Sequence, residues 1–250
     1  MDEATHAARR LSFGAAADLY DRIRPSYPPA VVRWLLGDTP LRVLDLGAGT
    51  GIFTEVLVEC GHEVFSVEPD PGMRGKLAAK GLPVELIDGC AESIPLPAGS
   101  VDAVVAAQAY HWFDQGLAHP EIARVLTAGG IWGPVWNVRD ESIPWVKRMS
   151  LIKGMEDGRD STSSIFEEAV EDFGPLFDHP EINEFRHEVT HDEQSLLALI
   201  RSRSYWLAAS DSGKREMERA VRELAADIDK DETGCFQLPY SAIAYRCRKR

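Results

Sequence analysis

The sequence predicts an α/β fold: a doubly wound, mostly parallel seven-stranded sheet with helices on both faces and a partly helical insertion. Three observations carry this expectation. Short β-rich apolar runs alternate with helical stretches through residues 41–138 at the spacing of βαβ units. The fourth run, VDAVVAAQ at 101–108, is apolar almost throughout, as a strand covered on both faces must be. Two later β-rich runs, at 184–191 and 235–249, follow a mixed segment and are expected to complete the same sheet.

The elements follow in order. Residues 15–24 read as a short helix that the proline-rich RPSYPP breaks; Pro29 then suits the first turn of a helix running to Leu36 and stopped by Gly37. LRVLDL (41–46) is the first strand. IFTEVLVEC (52–60) has helical periodicity and ends at Gly61. EVFSVE (63–68) is the second strand, residues 71–80 the second helix of the alternation, and PVELID (83–88) the third strand. After the fourth strand, residues 119–127 read as a helix stopped by Gly129 and Gly130, and IWGPVWNV (131–138) as the fifth strand. Residues 141–180 are mixed and acidic, partly helical, and expected over one face. EFRHEVTH (184–191) reads as a strand, 192–203 and 211–228 as helices, and CFQLPYSAIAYRCRK (235–249) as a broken terminal strand. Right-handed crossovers and a doubly wound order follow from general rules.

Composition narrows the class. A chain of 250 residues suits one large domain. It can bury roughly 70–75% of its unfolded surface and so needs no disulfide staples. Four scattered cysteines (Cys60, Cys90, Cys235, Cys247) make neither a disulfide framework nor a CxxC zinc site. No window reaches the roughly 20 apolar residues of a membrane span. The start MDEATHAARR has no apolar core and carries early acids, so neither a signal nor a transit peptide is expected, and the location read from this is cytoplasmic. With 27 Lys+Arg against 40 Asp+Glu, the net charge of −13 repels phosphate backbones and argues against nucleic acid. The excess concentrates in 151–193, where 13 acids face three bases.

The most informative stretch is Val43-Leu44-Asp45-Leu46-Gly47-Ala48-Gly49-Thr50-Gly51. Alternate glycines after a buried strand let ligand atoms approach the backbone, because no Cβ stands in the way. The position, at the carboxyl end of a strand in an open α/β sheet, is where such sheets bind ligands. The spacing G-x-G-x-G departs from the dinucleotide fingerprint G-x-G-x-x-G, since Ile52 holds its last position, and the G-K-[ST] of a P-loop is missing.

The hhDhGxGxG pattern resembles motif I of the class I S-adenosylmethionine-dependent methyltransferases, and the resemblance names the cofactor. It implies a Rossmann-like class I methyltransferase fold. Asp45, Gly47, Ala48 and Gly49 would face the donor's amino-acid end. Glu68 ends the second strand, where the family's acid takes the ribose hydroxyls, a bidentate contact suited to a carboxylate. Pro69 and Met73 fall where family members pack the adenine. Asp88-Gly89-Cys90-Ala91-Glu92 closes the third strand; many relatives carry Asp in place of Cys90, which leaves the Ala91 backbone and the Glu92 side chain as partners. Gln108-Ala109-Tyr110-His111-Trp112-Phe113 is similar to a segment of the trans-aconitate methyltransferase-like, type 11 subgroup. Tyr20-x-x-x-Arg24-Pro25-x-Tyr27-Pro28 is similar to the subgroup's lid over the cofactor. The implied organisation is a single methyltransferase domain: lid helices over 1–37, a cofactor-binding core over 38–140, an insertion over 141–183, and strands and helices completing the sheet over 184–250.

The implied reaction moves a methyl group to a small-molecule acceptor, with a carboxylate or hydroxyl oxygen preferred and S-adenosylhomocysteine as the product. Orientation can supply up to roughly 7–11 kcal/mol in favourable cases. Only a protonated nucleophile needs a base, and His111 lies beside the glycine turn with an ordinary pKa suited to that task. Its other reading is packing of the cofactor pocket with Trp112. Tyr20, Tyr27 and Trp112 offer a cation–π surface for the sulfonium. A module that binds donor or product without catalysis is the alternative of a different class, and a nicotinamide oxidoreductase is disfavoured by the glycine spacing. Neither nucleic acid nor membrane is an expected partner, and a monomer or homodimer is expected.

His187-Glu188-Val189-Thr190-His191 spells the zinc-protease string H-E-x-x-H. That chemistry needs a helix. On a strand the two histidines stand roughly 13 Å apart at about 3.3 Å per residue and cannot share a metal. The expectation is two solvent-facing strand histidines and no metal site.

Overall fold

The computed structural model describes residues 23–152 and 173–250. Most of the helix expected over 15–24, with Tyr20, lies outside them, as does the middle of the 141–183 segment. The elements alternate as α1 (Pro29–Leu36), β1 (Arg42–Leu46), α2 (Ile52–Glu59), β2 (Glu63–Val67), α3 (Pro71–Ala79), β3 (Val84–Ile87), β4 (Val101–Ala107), α4 (Gln115–Val125) and β5 (Leu126–Arg139). Then come α5 (Pro144–Leu151), β6 (Glu181–His191), α6 (Glu193–Arg201), α7 (Ser204–Ala208), α8 (Asp211–Ala226) and β7 (Phe236–Arg248). They build one seven-stranded sheet of order β3-β2-β1-β4-β5-β7-β6. The strands β1 to β5 pair in parallel, and β7 runs antiparallel between β5 and β6.

Local chemistry sets most boundaries. Pro29 opens α1, and Gly37 at φ 81° closes it. Asp70 caps α3 by accepting from the Gly72 and Met73 N–H groups. Asp114 caps α4 in the same way, which starts that helix at Gln115, four residues before the expected position. Gly129 and Gly130 do not stop α4. It ends at Val125 and the chain enters β5 directly, the register against β4 shifting between Val101 and Ala103. The terminal strand is continuous through Pro239. The Pro239 carbonyl accepts from the Asp140 N–H at 3.0 Å, on the side where β5 stops, so the missing proline donor interrupts no ladder.

Apolar residues bury both sheet faces. Leu44, Leu46, Val104, Trp132 and Trp136 pack toward α4, while Val43, Val105 and Val135 pack toward α1 and α2. Each such fully buried side chain contributes about 1.5–3 kcal/mol. A third cluster joins α5, α6 and α8 to β7 through Met149, Leu199, Val221 and Leu238. The described ends of the 141–183 segment belong to two layers: Val146 and Met149 join the third cluster, and Phe173 and Phe177 pack with Tyr110 and Trp132. Among the described residues, no helix is long and apolar enough to cross a membrane.

Candidate functional site

The strand order reverses between β1 and β4, and open α/β sheets bind ligands at such a switch point, beyond the strands' carboxyl ends. The glycine turn leaves β1 at that point. The Gly47 and Ala48 N–H groups both donate to the Val67 carbonyl, at 2.8 and 3.1 Å, and anchor the turn to β2. Gly47 and Gly49 have φ of 75° and 59°, the left-handed region that favours glycine. Their surroundings differ. A Cβ on Gly47 would stand 2.7 Å from the Ala109 Cβ, so this glycine is needed for packing. A Cβ on Gly49 would meet nothing within 4 Å, so this glycine is bare toward open space.

Beneath the turn, Asp45 is 1% exposed. Its Oδ2 accepts from Thr54 Oγ1 at 2.6 Å, while its Oδ1 is buried with no hydrogen-bond partner among the described residues. Burial, opposed by the Thr54 bond and helped by Glu68, pushes its pKa up to about 7. A buried carboxylate oxygen with an unused acceptor beside a bare turn fits a cationic ligand group. Glu68 bridges the same turn: Oε2 accepts from the Gly49 N–H and Oε1 from the Asp70 N–H, each at 2.8 Å. Burial raises its pKa and the two backbone bonds oppose that rise. Each of its oxygens keeps a further lone pair for a ligand hydroxyl. The turn, Asp45 and Glu68 together fit the expected donor.

The flanking residues surround that centre. Pro69 is half-buried and Met73 is 5% exposed in the first turn of α3. The sequence reading missed Arg74, which donates to the Glu68 carbonyl at 2.8 Å and pairs with Asp88 at 3.0 Å, fixing the end of β2 beside that of β3. Ala91 is buried, and the Glu92 carboxylate accepts from the Asp114 N–H at 3.0 Å, joining the β3 loop to the start of α4.

Beyond β4, Gln108 has φ 55°, the one non-glycine among the described residues in the left-handed region, and its Nε2 donates to the Asn137 carbonyl at 2.7 Å. The QAYHWF segment divides its work. Tyr110 is fully buried, bonds His119 at 2.9 Å and packs edge-on against Trp132 and Trp136. His111 is half-buried on the single helical turn Tyr110–Trp112, its ring tilted against Trp112 at 5.0 Å. Tyr27 is 7% exposed and packs edge-on against Phe53 of α2 at 4.8 Å, so its ring belongs to the core between α1 and α2.

Asn137, which the sequence reading passed over inside an apolar run, organises the carboxyl end of β5. Its Nδ2 donates to the Ser26 carbonyl at 3.0 Å, and its Oδ1 meets His187 Nε2 at 3.0 Å. The H-E-x-x-H string lies on β6 as expected, but its histidines do not both face solvent: His191 is buried and His187 half-buried. His187 stacks on Tyr240 at 5.6 Å, and His191 is 3% exposed with Nδ1 at 3.1 Å from Ser195 Oγ. Alternation turns both rings toward the face that α6 and α8 cover, and burial lowers both pKa values.

Comparison with known proteins agrees with this geometry. A methyltransferase domain family model matches residues 44–132. The chain is 43% identical over 241 residues to an uncharacterized methyltransferase of Mycobacterium tuberculosis, covering 94% of this chain and 95% of that one. A structure from Anaeromyxobacter dehalogenans assigned as a type II methyltransferase superposes with a TM-score of 0.65 at 23% identity, covering 90% of this chain and 97% of that chain. A Haemonchus contortus phosphoethanolamine N-methyltransferase bound to phosphomonomethylethanolamine and S-adenosylhomocysteine gives a TM-score of 0.54 at 14% identity, over 94% of this chain and 57% of that one. The chain therefore belongs to the class I S-adenosylmethionine-dependent methyltransferases of the type 11 kind.

Proposed function

We propose that the enzyme methylates an oxygen of a small polar acceptor seated over the carboxyl ends of β4 and β5. The observation that carries this reading is the polar group beyond those strands, where Gln108 bonds Asn137 and Asn137 bonds His187 beside the bare glycine turn. In this reading Asp45, Gly47, Ala48 and Gly49 hold the donor's amino-acid end. Glu68 takes the ribose, and Pro69, Met73, Ala91 and Glu92 surround the adenine. Gln108 closes the pocket toward the acceptor. The bound donor supplies a methyl group on a sulfonium, already activated for in-line displacement. The protein's task is then alignment, worth several kcal/mol. An ionised carboxylate acceptor needs no base, whereas a hydroxyl gives its proton to His111.

Isotope-labelled methyl transfer over a panel of small carboxylic acids, alcohols, phenols, amines and carbon acids tests the reading. Ester or ether products are expected. Methylation confined to nitrogen or carbon acceptors overturns it.

A further inference from the structure

In this acidic chain, half-buried arginines find acids. Arg42 meets Asp102, Arg124 meets Glu121 and Arg246 meets Glu181. Arg139 and Arg203 do not. Neither makes an ion pair among the described residues, though both are at most half-exposed. Arg139 is the last residue of β5, and Arg203 stands just before α7, where its side chain makes no capping bond. Arg139 Nη1 and Arg203 Nε are buried without a hydrogen-bond partner among the described residues. The charge of Arg203 also reaches Arg139: burial first, and then that charge, pull the Arg139 pKa down. Tyr205, Tyr240 and the exposed Glu141 also act on Arg139, Asp140 follows it in the chain, and His187 stacks on Tyr240.

The two tyrosines share the defect. Tyr240 is 2% exposed, pairs across the sheet with Arg139, and its hydroxyl has no partner; nor has the Tyr205 hydroxyl, again among the described residues. Arg139 pairs with Tyr240, Tyr205 packs on the cluster that holds Tyr240, and Arg203 acts on Arg139 through its charge, so two guanidinium groups and two phenols of one corner keep buried donors unspent. Such an arrangement is unfavourable without a ligand, because a buried donor without a partner loses its hydration unrepaid and like charges repel. An oxyanion removes the whole defect: guanidinium donors match its paired oxygens, and phenol hydroxyls complete its shell.

The location fits an acceptor. Arg139 follows Asn137 by two residues on the same face of β5. β5 is two strands from β1, about 10 Å across the sheet. Arg24 donates to the Ser202 carbonyl at 3.2 Å, which brings the segment before α1 to the same corner.

We propose that Arg139 and Arg203, with the hydroxyls of Tyr205 and Tyr240, form an oxyanion pocket that anchors a carboxylate or phosphate of the methyl acceptor, apart from the oxygen that is methylated. The inference rests on the small-acceptor reading above and narrows it to small organic anions.

Calorimetry on the full chain saturated with S-adenosylhomocysteine tests it, with malonate and inorganic phosphate as probes and sodium chloride as the ionic control. Binding of either probe is expected, lost at least tenfold in Arg139→Gln and in Arg203→Gln, with S-adenosylhomocysteine affinity unchanged within twofold. The stronger probe distinguishes a carboxylate anchor from a phosphate anchor. Arg203→Gln is also expected to raise the melting temperature without probe, since it relieves the repulsion of Arg139. If Arg139→Gln does not fold, Arg203→Gln carries the measurement alone. Neither probe binding above the chloride control, or binding that both variants retain, overturns the pocket. Loss of S-adenosylhomocysteine binding in the wild-type chain would instead strike the donor assignment.

Discussion

Glu68 closes the glycine turn from the end of the neighbouring strand: its Oε2 accepts from the Gly49 N–H at 2.8 Å, while Oε1 accepts from the Asp70 N–H. One carboxylate therefore sets the relative position of the turn after β1 and the cap of α3. Glu68→Ala removes the proposed ribose contact and leaves two backbone donors unmet. Donor affinity is expected to fall by about 1–3 kcal/mol, with a lowered melting temperature in the same variant. Glu68→Gln keeps one acceptor oxygen and should fall between the two. Calorimetry with S-adenosylhomocysteine and thermal denaturation read both effects, and unchanged affinity in Glu68→Ala would remove Glu68 from the site.

Two neighbouring glycines are expected to separate folding from binding. A side chain on Gly49 enters open space, whereas one on Gly47 collides with Ala109. Both substitutions carry the strain of a left-handed backbone, of order 1–3 kcal/mol. Gly49→Val is expected to abolish donor binding in a protein that still unfolds cooperatively. Gly47→Val is expected to show the larger fall in melting temperature. A Gly49→Val protein with wild-type affinity would mean that no ligand presses on this turn.

The proposed contact between Asp45 and the donor predicts a pH-dependent affinity. Its pKa is raised by burial to about 7 from an ordinary 3.8, so its contribution to folding is fully present below the lower value and is lost as pH rises through about 7. The ionised form is the one that attracts a cationic ligand group. Donor affinity should therefore decline as pH falls through about 7, while the stability of the ligand-free protein moves the other way. Asp45→Asn is expected to flatten both profiles between pH 5 and 8. Parallel calorimetric and thermal titrations check it, and identical profiles in the two proteins would refute the role.

The sequence exposes those parts of this molecule that depend on local pattern. Alternating apolar runs identify all seven strands, and the glycines with Asp45 and Glu68 locate the turn, because each signal lies within a few neighbouring residues. What stays hidden depends on partners far along the chain. Asn137 sits in a run of apolar residues and gains its meaning only from Ser26 and His187. Arg139 and Arg203 look like ordinary surface cations until the fold brings them together without an acid. The inward turn of His187 and His191 was equally hidden, because alternation gives a common face without saying which side α6 and α8 cover.

His111 can be assigned by comparing two acceptor classes in one variant. The residue lies half-buried beyond β4 with its ring against Trp112, a position that serves proton transfer and packing alike. General base catalysis contributes roughly 10²–10⁴-fold, and only when the nucleophile must lose a proton. With a hydroxyl acceptor, His111→Ala is therefore expected to lower kcat by that factor. With a carboxylate acceptor, already ionised, the same variant should keep kcat within about tenfold, since one order of magnitude corresponds to roughly 1.4 kcal/mol of altered packing. Affinity for S-adenosylhomocysteine should stay near wild type in both cases. Equal losses on the two acceptors, accompanied by weaker donor binding, would make His111 a wall of the pocket and not its base.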